Sequence, residues 1–358
     1  MNRDLYIRAT ASASTSTSTS TKEWVRPSDW LPMPTNITSA DQIFVGLHAV
    51  FESGQNYCAF LFTTSAGQYQ VDWGDGTVTL HNSNTIAQKN YDYTSISNST
   101  ICSRGYKQVI IKVTPVSGNL LTCDFQRRFV TTPAQNQPYA TGFLDCILSM
   151  PNATSITFGG ATIIKHSYVE RFDVKTIGSV TSMVSMFYNC YALQSVPLFN
   201  TQNVTNMSSM FYNCYALQSV PLFNTQNVTN MGSMFASCYV LQSVPLFNTQ
   251  KVTAMQQMFQ NCTSLNFIPN FNTNLVTNFT TFANLCNSLD RCTTIFRNSV
   301  GLQNCQLSKD ALVEIFTNLT DRTSTTSATI DITGNWGASA LTSADRLIAT
   351  NKNYKITG

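Results

Sequence analysis

Charge is scarce in this chain. Asp, Glu, Lys and Arg make up 11% of its 358 residues, where about a quarter is usual. The net charge of +3 is too small to draw the chain to nucleic acid or to an anionic membrane surface. Between 176 and 289 the only residue of these four types is Lys251, so the carboxylate pair of a glycosidase has no place there. The remaining carboxylates, such as Asp124, Asp145, Glu170 and Asp173, show no acid–base pairing. Histidine is also rare: His48, His81 and His166 stand in unrelated contexts and read as structural. There is no G-x-S-x-G, no Gly-rich phosphate loop and no H-E-x-x-H. No catalytic residue and no cofactor are expected.

Long apolar runs are missing too. No stretch of 18 apolar residues exists, so no membrane insertion is expected. The opening MNRDLYIRATASAST is polar and lacks the apolar core of a secretory leader, so export is not expected. Cysteine is not rare, at 11, but it lacks metal spacing. Cys286, Cys292 and Cys305 have no nearby histidine and no paired C-x-x-C, so no metal site is expected.

What the chain has in abundance is repetition. MFYNCYALQSVPLFNTQNVTNM at 186–207 returns unchanged at 210–231, and the 24-residue period continues more loosely to 279. Cysteine recurs at Cys190, Cys214, Cys238, Cys262 and Cys286. Leucine recurs at Leu193, Leu217, Leu241, Leu265 and Leu289, and Met-Phe precedes four of the cysteines. A fixed period of this length indicates a solenoid, in which each copy covers the apolar face of the next. The cysteines then read as small buried hydrophobes. Leu193–Phe199 is expected as a short strand, limited by Pro197. Val204, Met207, Met210 and Phe211 have the spacing of a short helical return.

The pattern M-x-x-M-F-x-x-C-x-x-L-x-x-V-P-x-F-N-T-x-x-V-T-x-M resembles the BspA-like leucine-rich repeat, in its Met-Phe-Cys subtype, over about 183–289. The resemblance implies a leucine-rich-repeat solenoid without enzyme activity. It also implies a role among bacterial surface adhesins or bacteriophage structural proteins.

Five regions are expected. Residues 1–35 form an extended attachment arm, with the low-complexity run ATASASTSTSTST at 9–21 followed by a stiff aromatic segment. Trp24 and Trp30 are its candidate attachment residues, serving either as anchors into a partner or as a lid on the next domain. Residues 36–116 alternate as strands, with Asp75-Gly76 as a hairpin turn. Trp73–Gly76 and Tyr91–Tyr93 are similar to the W-G-D-G and late aromatic-x-Tyr segments of a PKD-type, Ig-like β-sandwich, although Tyr91 stands where that family has His. Asp72 and Asp75 read as turn residues, with calcium as the alternative. Residues 117–182 are expected to cap the solenoid, and 183–292 to form the repeats. Residues 293–358 are expected as a helix–strand C-terminal cap, with a helix after Ser308, a strand over 329–333, a capping box at Thr342–Asp345 and a strand over 354–357. The fold class is therefore mostly β with short helices.

The candidate contact rows are Tyr188, Tyr191, Tyr212, Tyr215 and Tyr239, with Gln194, Gln218 and Gln242 beside them. Tyrosine among neutral amides suits sugars or a protein partner; the alternative is that these rings only cover the neighbouring repeat. Taken together, these features lead to a bacteriophage virion component, of tail, fibre or head, located in the virion. Its expected partners are other virion proteins and a host-surface glycan or protein, in a homo-oligomer or larger assembly. A bacterial surface adhesin is the alternative.

Overall fold

A computed structural model describes residues 24–53, 56–127, 129, 142–160 and 168–358. The run at 9–21, Ile163–Ile164 and His166 lie outside these. The chain divides into two compact units. The first runs to Thr181 and takes in Ser185–Asn200; the second comprises Ser182–Val184 and Thr201–Gly358.

The first unit is built on a mixed sheet of β1 (Ile43–Val50), β2 (Tyr57–Asp72), β3 (Val78–Asn82), β4 (Thr85–Asn90), β5 (Lys107–Asp124), β6 (Phe143–Met150), β7 (Ser155–Thr157) and β8 (Arg171–Ile177). The order is β3-β2-β5-β1-β6-β8, with β4 also on β2 and β7 on β5. Two strands are long enough to serve two halves of the sheet. The first half of β2 pairs with β4 and its second half with β3. Its pairing with β5 shifts register around Gly67 and Gly118. Both glycines have positive φ, and a Cβ on Gly118 would stand 3.0 Å from the backbone nitrogen of Ala66, which explains glycine at this bend.

The expected hairpin is present. The amide of Trp73 donates to the carbonyl of Thr77, and Gly74 and Gly76 have positive φ. Residues 117–182 were expected to cap the repeats. Within this connecting region β6 and β8 extend the sheet of the first unit, and β8 also carries a parallel bridge from Arg171 to Ser195. Phe44, Phe60, Phe62, Tyr69, Trp73, Phe125, Phe143 and Phe158 fill the interior. Such rings each bury about 150–250 Å².

Trp30 is buried in this unit rather than presented to a partner. It packs with Leu47, Ala49, Cys102, Tyr106, Leu144 and Tyr168, and its indole N–H donates to the Tyr106 hydroxyl at 3.0 Å. Trp24 lies against the same cluster, and its indole N–H donates to Glu170. Arg26 clamps the segment. Its Nε reaches the buried Asp145 at 2.8 Å, and its other nitrogens hold the carbonyls of Trp30 and Leu31.

The second unit is a β-solenoid. Parallel bridges step from Ser182 to Asn206, Asn230, Ala254 and Asn278. At the Leu-x-x-Val-Pro segment, where a strand was expected, main-chain pairing is partial: the amide of Asn266 donates to the carbonyl of Gln242, and Phe267–Ile268 pairs in parallel with Arg291–Cys292. The regular main-chain ladder lies elsewhere. It runs through the Met-Phe segment, where a helix was expected. The amides of Met207, Ser209, Phe211 and Asn213 donate to the carbonyls of Asn230, Gly232, Met234 and Ala236. The same exchange recurs from Met231 to Ser237 and from Met255 to Asn261. Residues between them close tight turns, as in Met210 to Met207 and Cys214 to Phe211. Ser209 and Asn213 adopt positive φ, as do Ser233, Ser237, Gln257 and Asn261. A left-handed residue every fourth position ends any helix before it starts.

The Met, Phe, Cys and Leu columns are buried as expected. The stack closes with β9 (Phe267–Ile268), β10 (Arg291–Cys292), β11 (Val300–Gly301), β12 (Ala328–Asp331) and β13 (Tyr354–Thr357), the last three forming one parallel sheet. Two helices accompany them. In α1 (Lys309–Asn318) Ser308 caps the start, and Leu312, Ile315 and Phe316 face inward. In α2 (Ser343–Thr350) Thr342 and Asp345 form the expected capping box.

Candidate binding surface

One face of the solenoid alternates in and out although its backbone makes no regular strand. Val220, Phe223 and Thr225 point in, while Leu222, Asn224 and Gln226 point out, and the next copy repeats this with Leu246, Asn248 and Gln250. The inward Phe rings stack in a row, with Phe247 and Phe271 at 6.4 Å. The inward Thr hydroxyls hold neighbouring turns together. Thr225 donates to the carbonyl of Asn248, and Thr249 to that of Asn272, each at 2.8 Å. The outward Asn side chains fix the following bend: the amides of Gln226, Gln250 and Asn274 donate to Oδ1 of Asn224, Asn248 and Asn272.

The result is a grid. Leu222 and Leu246, 59% and 60% exposed, form an apolar column. Asn224, Asn248 and Asn272, with Gln226 and Gln250, form two amide columns beside it. The Nδ2 donors of Asn224, Asn248 and Asn272 make no hydrogen bond among the described residues, so they remain available to a ligand. Leu198, the equivalent residue in the first unit, is also exposed. Lys251 is the grid's one charged side chain, and it is held to Oδ1 of Asn227 at 2.8 Å.

The tyrosines lie differently. Tyr215 and Tyr239 stack on each other with centroids 4.6 Å apart, so each uses a ring face on the other. Tyr188, Tyr191 and Tyr212 are half-buried, as are Gln194 and Gln218, and only Gln242 of that set is exposed. The hydroxyl of Tyr239 accepts from Asn261. Tyr215 and Tyr239 thus each cover one ring face of the neighbouring repeat. The Leu column was missed at the sequence level. The available signal was Leu, Asn and Gln alternating with the inward Phe and Thr at a fixed period, which is strand alternation.

Buried thiols belong to the scaffold. The thiols of Cys238, Cys262 and Cys286 donate to the carbonyls of Phe211, Phe235 and Phe259, at 3.2, 3.0 and 2.9 Å. Burial pushes these thiols up in pKa, and it brings Cys292 and Cys305 to about 12. Asp72 and Asp75 serve the hairpin turn: Asp72 accepts from Gly74, Asp75 accepts from Thr77 and pairs with Lys89. Among the described residues, no group of three His, Cys, Asp or Glu side chains is placed to hold a metal, and no helix is long and apolar enough to cross a membrane.

Two stretches, 154–246 and 181–296, match the family described as Mycoplasma protein of unknown function, DUF285. The match covers the repeats and opens at the β7 segment, ahead of the first regular copy. No curated protein matches the chain.

Proposed function

We propose that this protein is a non-enzymatic contact scaffold of a bacteriophage virion, a tail, fibre or head-decoration component. Its solenoid presents one face to a host-surface protein or glycan, and other parts of the chain meet neighbouring virion proteins. The observation that carries the reading is the outward grid of Leu222, Leu246, Asn224, Asn248 and Gln226. It is regular, carries Lys251 as its one charge and is free of acid–base pairs, which suits adhesion. The repeats are read as BspA-like leucine-rich repeats of the Met-Phe-Cys subtype. The first unit is read as PKD-like, supported by the Trp73–Gly76 turn and by the Tyr91 hydroxyl, which donates to the carbonyl of Trp73 at 2.8 Å.

A second reading, a bacterial surface adhesin, draws on the similarity to a family described from Mycoplasma. Mass spectrometry of purified particles and of host envelope fractions separates the two. The virion reading requires the chain in particles at stoichiometric amounts; its presence in envelope alone reverses the order.

A further inference from the structure

The first unit holds a cavity of about 640 Å³, lined by Glu52, Tyr57, Asn90, Tyr93, Asn98 and Lys107, with Asp92 and Thr94 on its wall. Its size is in the range of small-molecule sites. Its charges are mostly committed. The Lys107 ammonium, on a residue that is 3% exposed, donates to the carbonyls of Tyr93 and Ile96 at 2.8 and 2.7 Å and sits 4.2 Å from the Tyr93 ring centroid. The Asp92 carboxylate accepts from the amide and hydroxyl of Thr94. The Tyr57 ring is backed by Phe129, centroids 4.4 Å apart. These contacts set the wall in place without using its rim.

What remains unpaired is informative. Among the described residues, no hydrogen bond is made by the side-chain amides of Asn90 and Asn98, the Tyr57 hydroxyl or the Glu52 carboxylate. Two amides each offer donors and acceptors, a phenol offers both, and a carboxylate only accepts. Such a set matches a ligand whose groups are themselves both donor and acceptor, which is the property of neighbouring sugar hydroxyls. An anionic ligand would meet Glu52 and Asp92 without a free cation, because Lys107 is spent. A cationic ligand would leave the amide donors unmatched. Tyr57 is buried against Phe129, so the half-buried Tyr93, with Lys107 on one side of its ring, is the aromatic wall against which the C–H face of a pyranose would lie.

We propose that this cavity binds a neutral pyranose sugar, as a site separate from the solenoid grid. Glu52 and the two amides would accept from and donate to its hydroxyls. The test is saturation-transfer NMR and titration of the full chain with methyl glycosides of glucose, galactose, mannose and N-acetylglucosamine. Glucuronate and tetramethylammonium serve as charged comparators. The expected result is transfer from at least one neutral glycoside, weakened about tenfold or more by Glu52→Ala with Asn98→Ala, an amount equal to about one lost hydrogen bond. Thermal unfolding confirms that each variant is folded; if the double variant is not, Asn98→Ala alone is read. No transfer from any neutral glycoside, transfer that survives the pocket substitutions, or transfer from the charged comparators alone each overturns the proposal.

Discussion

The thiol of Cys262 lies 3.0 Å from the carbonyl oxygen of Phe235, one turn back along the solenoid. The same oxygen already accepts from the amide of Cys238. Cysteine is thus small enough for the column and still offers a weak donor to its neighbour. Replacing Cys262 with Ala should cost about 1–2 kcal/mol, mostly through lost packing. Urea unfolding at neutral pH measures it. A cost near zero would show that the column is filled by relaxation.

All eleven cysteines are free and buried. A thiol reagent at pH 8 should find none of them quickly in the folded protein and all of them after denaturation. For the raised thiols the sign is fixed. Their contribution is intact below the unfolded thiol value of about 8.5. It declines as pH rises toward the folded values, about 12 for Cys292 and Cys305. Thermal melts should therefore fall above about pH 9.

His48 sets an opposite limit in the first unit. Its ring is buried, its Nε2 accepts from the amide of Gly142 at 3.0 Å, and burial lowers its pKa to about 3. Stability from this group is complete above the unfolded value of about 6.5 and is lost as pH falls toward 3. His48→Gln should flatten the acid limb of a stability–pH curve between those values. An unchanged limb would assign acid lability to the carboxylates.

Arg26→Ala should loosen the tryptophan segment. It removes one of two cations paired with the fully buried Asp145, the other being Arg171 at 3.3 Å. Leaving a buried carboxylate half-paired costs about 3 kcal/mol. Trp30 fluorescence should shift to the red, and proteolysis should begin within 24–35. A variant with unaltered emission would mean that packing against Tyr106 and Leu47 holds the segment alone.

Leu222→Asn with Leu246→Asn should leave the melting temperature within about 1 °C, since exposed changes away from special features stay near zero in energy. On the proposed contact-scaffold reading, the same variant should lose binding to the host surface, measured by pull-down or cell adsorption. Thr225→Val, by contrast, should cost about 1 kcal/mol, because it removes the buried hydroxyl that donates to the carbonyl of Asn248 in the next turn.

How much of this was legible beforehand depended on what each residue type can signal. Met210, Phe211, Cys214 and Leu217 recur at one period, so their burial followed from stacking alone. Their conformation did not follow. The spacing of 204, 207, 210 and 211 is helical on paper, but it also arises from successive tight turns. The residues that decide, Ser209 and Asn213, take positive φ without being glycine, so no punctuation marked them. The C-terminal cap was readable because Ser308, Thr342 and Asp345 are chemical caps with fixed offsets. The attachment of β6 and β8 to the first sheet was not, since their apolar runs fit a sheet or a solenoid equally. For the surface, the 24-residue period put the tyrosines in rows, and Tyr215 does stack on Tyr239; the period could not say that the outward columns would be Leu222, Leu246 and their neighbouring amides.

Each rung of the Met-Phe ladder is bonded to the next by the same set of amides and carbonyls. The array is therefore modular in length. Gain or loss of one 24-residue copy would move the terminal cap by a single strand spacing of about 4.8 Å and add or remove one row of the outward grid. Valency toward a repetitive target could be tuned in whole steps, with no new fold to invent at either end.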